Sequence, residues 1–271
     1  MKKFNQVPYM ALILGVTLFS CSGNKQPEAD ESLRWDSIVK DTIIHLTTDN
    51  QSPTAEIHLN IKYADGKQAK SINDSILRSG ILSPDYLSIT DKKMSVQEAI
   101  DTFATKYLAD YKRDFGAMYL RDKEHGASYN LQYSCNTRTS EEKEGVLNYV
   151  AEVFSYSGGA HGMNFTLARN IDKATAKVMK INDFFVPGYE ENLKELIVEK
   201  LCKQFDVKDL DGLRAKSIFY GIEPYVPGNF IVRKDSFVFI FCDTEIAPHA
   251  IGEIRLSIDN SELKQILKKD S

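Results

Sequence analysis

The chain has 271 residues, with 34 basic side chains against 38 acidic ones, a net charge of −4 and 42% hydrophobic residues. No basic stripe stands out, and this excludes nucleic acid as a partner, because few counterions would be released on contact. The length suits one large or two modest globular domains. There is no internal repeat, no CxxC pair and no mixed Cys/His cluster of zinc type, so neither a metal nor any other cofactor is expected.

The first twenty residues start Met-Lys-Lys, continue through an apolar stretch from Val7 to Phe19 and end at Ser20. A basic start and a short apolar core are marks of a secretory signal, too short for a mature membrane span. The run Leu18-Phe19-Ser20-Cys21 resembles a bacterial lipoprotein signal. That resemblance makes Cys21 the lipidated first residue, anchored to a membrane, with the outer membrane expected and the folded part facing the periplasm or the outside. Loss of Lys2 and Lys3 then leaves 32 basic and 38 acidic residues, or −6. Residues 21–32, with no apolar residue after Cys21 beyond Ala29, read as a flexible tether. Cys135, Cys202 and Cys242 remain, an odd number for an oxidising compartment, and Cys202 and Cys242 lie on apolar stretches that read as core.

Strands are expected at 37–46 and 55–63. In the second, Ile57, Leu59, Ile61 and Tyr63 alternate with Glu56, His58, Asn60 and Lys62, which gives one dry and one wet face. A short helix around Ile72 to Leu77 is followed by a longer one. This opens with Ser95 and Glu98 as a capping box and carries Ile100, Phe103, Tyr107, Tyr111 and Phe115 on one stripe. Further strands fall at 127–135 and 145–156, with the charged stretch NTRTSEEKEG read as an exposed hairpin loop. Strands at 163–171 and 178–181, a helix at 190–205, strands at 229–232, 237–242 and 253–258, and a helix at 261–268 complete the chain. The expected fold class is α+β: mainly antiparallel sheets with helices packed on one face, in two adjoining units, 33–145 and 146–271.

The runs YSGGAHGMNFTLARNIDKATAKVMKINDFF and DSFVFIFCDTEIAPHAIGEIRLSIDNSELKQIL resemble the RsiV-like domain of unknown function, over about residues 150–268. Residues 33–135 resemble more loosely the domain that usually precedes it. The resemblance implies envelope biology: relatives are the outer part of lysozyme-sensing anti-sigma factors and non-catalytic regions of peptidoglycan deacetylases. The sequence departs from these in having no His-x-x-x-His deacetylase pair and in carrying His249 where tyrosine is usual. The resemblance therefore implies a lipid-anchored binding protein of the cell envelope that is not an enzyme, with a lysozyme-like muramidase or a cell-wall glycan as partner.

The candidate binding residues are Tyr156, Ser157, Gly158, Gly159, Ala160, His161 and Gly162 in SYSGGAHG, joined by Glu245 and His249 of the EIAPHA bend. The three glycines are expected to supply positive φ where strands cross, with His161 pinned to the backbone. Pro248 breaks the ladder there, while Glu245 caps an amide and pairs with His249. Tyr220, Tyr225 and Phe230, on a proline-stiffened loop, form a second candidate surface. The rival expectation is an envelope hydrolase acting on peptidoglycan or polysaccharide, metal-dependent through His161 and His249, and it requires the two imidazoles to lie within a few ångströms of each other. No serine elbow of hydrolase type supports a nucleophile at Ser155 or Ser157, so no catalytic residue is assigned.

Overall fold

The computed structural model describes residues 33–89 and 93–269. Cys21, the signal and the tether lie outside the described residues. The strands β1 (Arg34–His45), β2 (Thr54–Asp65), β3 (Leu131–Lys143), β4 (Val146–Ser157), β5 (Met163–Asp172) and β6 (Lys177–Met179) form one sheet in chain order. All neighbours are antiparallel except β2 and β3. A parallel pair needs a long crossover, and the helices α1 (Ala69–Leu77) and α2 (Val96–Arg121) provide it. A second sheet of β7 (Phe230–Val232), β8 (Ser236–Phe241) and β9 (Ile254–Asp259) is antiparallel throughout. It is accompanied by helices α3 (Ile181–Phe184), α4 (Glu190–Gln204), α5 (Leu210–Ala215) and α6 (Asn260–Leu263).

The period-two pattern settles the layers. Ile57, Leu59 and Ile61 of β2 are fully buried with Tyr133, Cys135, Tyr149, Ala151 and Val153, in one core with Ile72, Ile76, Ile100 and Phe103 of the helices. The Ser95 to Glu98 capping box is present, with Ser95 Oγ accepting from the Glu98 amide at 3.2 Å. In the second sheet, Phe237, Phe239 and Phe241 of β8 share a core with Leu193, Ile197 and Leu201 of α4. Val238 and Ile240, on the opposite face of β8, pack with Val150 and Ala168 of the first sheet. Helices thus cover one face of each sheet, as the alternation foretold. The expected division at residues 145 and 146 falls in the β3–β4 turn, and these two strands pair from Leu131↔Ser157 to Lys143↔Val146.

Two local expectations are corrected, and one element is added. The charged stretch after Cys135 is strand up to Lys143: burial alternates as far as Thr137, buried, and Arg138, exposed, and beyond them the ladder with β4 carries on through Ser140↔Asn148 to Lys143↔Val146. Charge on the wet face of a ribbon does not interrupt its ladder. Phe230 is buried at 2% exposure, against Phe184 and Phe237, and belongs to the core; Tyr220 is 79% exposed. Between the helix expected at 190–205 and the strand expected at 229–232 the chain also forms α5, whose N-cap Asp209 accepts from the Gly212 amide at 3.0 Å.

The two sheets meet along the outer edge of β5, which β6 pairs only from Asn170 onward. Asn170, 2% exposed, accepts from the Val232 amide at 3.1 Å and from Asn148 Nδ2 at 2.9 Å, and donates to Phe230 O at 2.9 Å. Replacing Asn170 by Ala leaves all three partners unmet in a dry seam. The expected cost is about 3 kcal/mol in urea unfolding, against about 0.5 kcal/mol or less for exposed Asn164→Ala.

Candidate functional site

The β8–β9 connection is a folded bend. Glu245 N donates to Cys242 O at 3.0 Å, with Thr244 at φ 64° between them. Glu245 closes the turn by accepting the Cys242 amide at 2.6 Å on one oxygen and the Tyr225 hydroxyl at 2.5 Å on the other. The expected amide cap is therefore present. Its partner is not His249, however, because the Nδ1 of that ring is bonded to Asp243. Ile246 and Ala247 are buried, and the turn after Pro248 is held by Ile251 N to Pro248 O at 2.9 Å.

This bend turns Asp243 inward. Its side chain is only 5% exposed, and one oxygen accepts from His249 Nδ1 at 2.6 Å. The other, Oδ1, is buried without a hydrogen-bond partner among the described residues. With its Nδ1 proton on the carboxylate, His249 presents Nε2 outward, and its side chain is 47% exposed. His161 stacks on it, ring centroids 5.6 Å apart and planes 19° from parallel. The sequence-distant pair is thus brought together, as the rival reading required.

Both residues stand beside an open sheet face. Strand register aligns Asp41, His58, Ser134, Phe154 and Asn164 in one row and Val39, Asn60, Asn136, Glu152 and Thr166 in the next. The second sheet covers the third row, at Val150 and Ala168, and leaves a step. At the step lies a cleft of about 520 Å³ lined by Ser134, Asn136, Glu152, Phe154, Asn164 and Glu253 together with Asp243 and His249. His58, read as solvent-facing, is partly exposed on this face and hydrogen-bonds Asp41 at 2.9 Å. Alternation alone could have collected the floor residues, but not the neighbour that walls them in.

The glycines of the loop have different reasons for being there. Gly158 has φ 75°, and a Cβ on it would lie 1.7 Å from Ser128 O. Positive φ is not shared by Gly159 or Gly162; a Cβ on Gly162 would instead meet the Phe154 ring at 2.3 Å. His161 makes no side-chain hydrogen bond among the described residues, so it is not a backbone pin but an exposed ring stacked on His249. Ala160 is exposed beside it, and Tyr156 is half-buried on the open face beyond Phe154. Ser157 ends β4 on the opposite face, as does Ser155, so neither hydroxyl points toward the cleft.

The chemistry available is limited. Cys242 hydrogen-bonds Thr166 O and Asn229 at 3.5 Å, and burial, with Glu245 and Glu253 nearby, pushes its thiol up to about 11. A protonated thiol is a poor nucleophile. Among the described residues no group of three His, Cys, Asp or Glu is placed to hold a metal ion. Stacked, near-parallel imidazoles also do not aim their lone pairs at one point, and His249 Nδ1 is already taken. The donor set does not fit the metal of the rival reading. What remains is an oriented imidazole, an unsatisfied buried acceptor, amide and carboxylate side chains, and one aromatic ring.

Residues 182–261 match a family described as "Protein of unknown function (DUF3298)". Over 236 residues the chain is 24% identical to the peptidoglycan-N-acetylmuramic acid deacetylase PdaC of Bacillus subtilis, covering 86% of this chain and 46% of that protein. It therefore spans less than half the length of that relative. An esterase of Mycobacterium tuberculosis is 22% identical over 171 residues, covering 62% of this chain and 71% of the esterase. The fold is that of a crystallised DUF3298 member from Bacteroides fragilis, with a TM-score of 0.77 at 22% identity over 88% of this chain and 95% of that one. A DUF3298 protein of Pseudomonas aeruginosa reaches 0.58 at 18% identity over 89% and 97%. Among the described residues no helix is long and apolar enough to cross a membrane.

The loop geometry makes a graded prediction. Gly158→Ala, with strained φ and a backbone clash, is expected to cost about 3 kcal/mol or more. Gly162→Ala should cost less, because the Phe154 ring can shift. Gly159→Ala, whose nearest neighbour would lie at 3.9 Å, should stay within about 0.5 kcal/mol. Denaturant melts of the three variants check the order.

Proposed function

We propose that this protein is a non-catalytic binding module of the bacterial cell envelope, and that the cleft at the step between its two sheets takes a cell-wall glycan. The observation that carries the reading is the buried, unpartnered Oδ1 of Asp243 at that cleft. A buried acceptor left unmet is costly, and a ligand donor removes the cost. Sugars supply hydroxyl and amide donors together with an apolar ring face. Asn136, Asn164, Glu152 and His249 suit the first, and Phe154 suits the second. The distant similarity to a peptidoglycan deacetylase supports the envelope setting. Lipid at Cys21 belongs to the same proposal, the outer membrane being the membrane proposed. A lysozyme-like muramidase is the protein partner to test beside the glycan.

The hydrogen bond from His249 to Asp243 favours a second reading, in which His249 acts as a general base on water and cleaves an ester or amide carried by the glycan. The distant similarity to an esterase supports that alternative.

Calorimetry with soluble muropeptides and with lysozyme, run beside an assay for released acetate, separates the readings. Muropeptide binding without turnover is expected. Asp243→Asn, which alters the acceptor at constant shape, and His249→Ala should each weaken binding about tenfold or more. Binding that is indifferent to both variants would sink the glycan reading. Turnover in the parent chain that His249→Ala abolishes would install the hydrolase in its place.

A further inference from the structure

One charged side chain of β5 faces away from the cleft. Arg169 lies on the helix-side face, between Leu167 and Ile171 and opposite fully buried Tyr149. Desolvation disfavours a guanidinium among those groups, and the side chain turns to the free outer edge of the strand. There Nε donates to Ser79 O and Nη1 to Ala168 O, each at 2.8 Å. Two neutral carbonyls fix its position without neutralising it. Nη2 has no hydrogen-bond partner, and no carboxylate lies within 4.0 Å of the group, among the described residues.

Its counter-charge stands off. Asp85 Oδ2 and Arg169 Nη2 lie 3.3 Å and 3.7 Å from the point that a Cβ on Gly80 would occupy, flanking it without pairing. Burial lowers the pKa of the guanidinium, and Asp85 offsets this only in part. Arg169 opens on a cleft of about 980 Å³, whose walls include Arg78, Asp85, Lys180, Asn182 and Gly228. None of its lining residues lines the Asp243 cleft. The volume is at the upper end of the range for small-ligand sites.

We propose that Arg169 anchors a second binding site, for a small ligand that ends in a free carboxylate. Nη2 and the remaining hydrogen of Nη1 form a fork matched to two carboxylate oxygens. Lys180, exposed and without an ion pair among the described residues, adds positive potential at the rim. Asp85 repels a phosphate dianion and accepts from an ammonium or amide N–H of the same ligand. The chemistry is that of an amino acid or the carboxyl end of a short peptide.

Calorimetry on the full chain with the dipeptide Ala-Ala, its carboxyl-terminal amide, free alanine and inorganic phosphate tests this. Ala-Ala or alanine should bind, with the tighter of the two identifying the source. The amide should bind about tenfold or more weakly. Arg169→Lys should cost about as much, since the fork is lost. Because Arg169 also holds Ser79, exposed Lys180→Ala is the control that spares the fold, and it should weaken binding about threefold at low salt. Equal binding of acid and amide, displacement of the dipeptide by phosphate, or no binding of either carboxylate would overturn the site.

Discussion

The outer edge of β5 is the constraint on which the rest depends. Thr166 and Ala168 turn their amides and carbonyls away from β4, where no strand arrives to meet them. Side chains meet them instead. Glu253 accepts from Thr166 N at 2.8 Å, Asn229 accepts from Ala168 N at 2.8 Å and donates to Thr166 O at 2.7 Å, and Arg169 donates to Ala168 O. Each such group left bare in a dry seam would cost about 1–3 kcal/mol. Three of the four are met by Glu253 and Asn229, which flank strands of the second sheet, and this docks that sheet at a step and does not extend the first one.

The step generates both clefts. On one side of it Thr166, Glu253 and the Asp243 bend border the open polar face; on the other, Ala168, Asn229 and Arg169 border the larger hollow beside α1. Arg255 ties the first side together by donating to Glu253 at 2.7 Å and to Thr166 Oγ1 at 2.9 Å. Residues that close a sheet edge are thus within one residue of residues that line the two clefts. Cleft wall and structural seam are built from the same short segments.

Much of the fold was legible because burial on a strand has period two and on a helix about three and a half. Ile57, Leu59 and Ile61 declared the dry face of β2, and Ser95 with Glu98 declared the start of α2. Those signals are local, and the sequence carries them whole. Where local signals compete, the reading slipped. The charges after Cys135 looked like a loop tip although the pairing of β3 with β4 continues through them to Lys143, and Phe230 looked displayed on a proline-rich loop although it fills the second core.

By itself the sequence determined an α+β chain of mainly antiparallel strands with helices on one face of each sheet, and it singled out SYSGGAHG and EIAPHA as segments whose shape matters. Only the tertiary structure decided what those segments do for each other. It stacked His161 on His249, gave His249 to Asp243 and not to Glu245, and left one oxygen of Asp243 unmet. The physical reason is that hydrophobic periodicity reports which way a side chain points from its own element, whereas the partner of a polar group is set by the docking of elements far apart in the chain. Here that docking is fixed by three backbone groups on one bare strand edge.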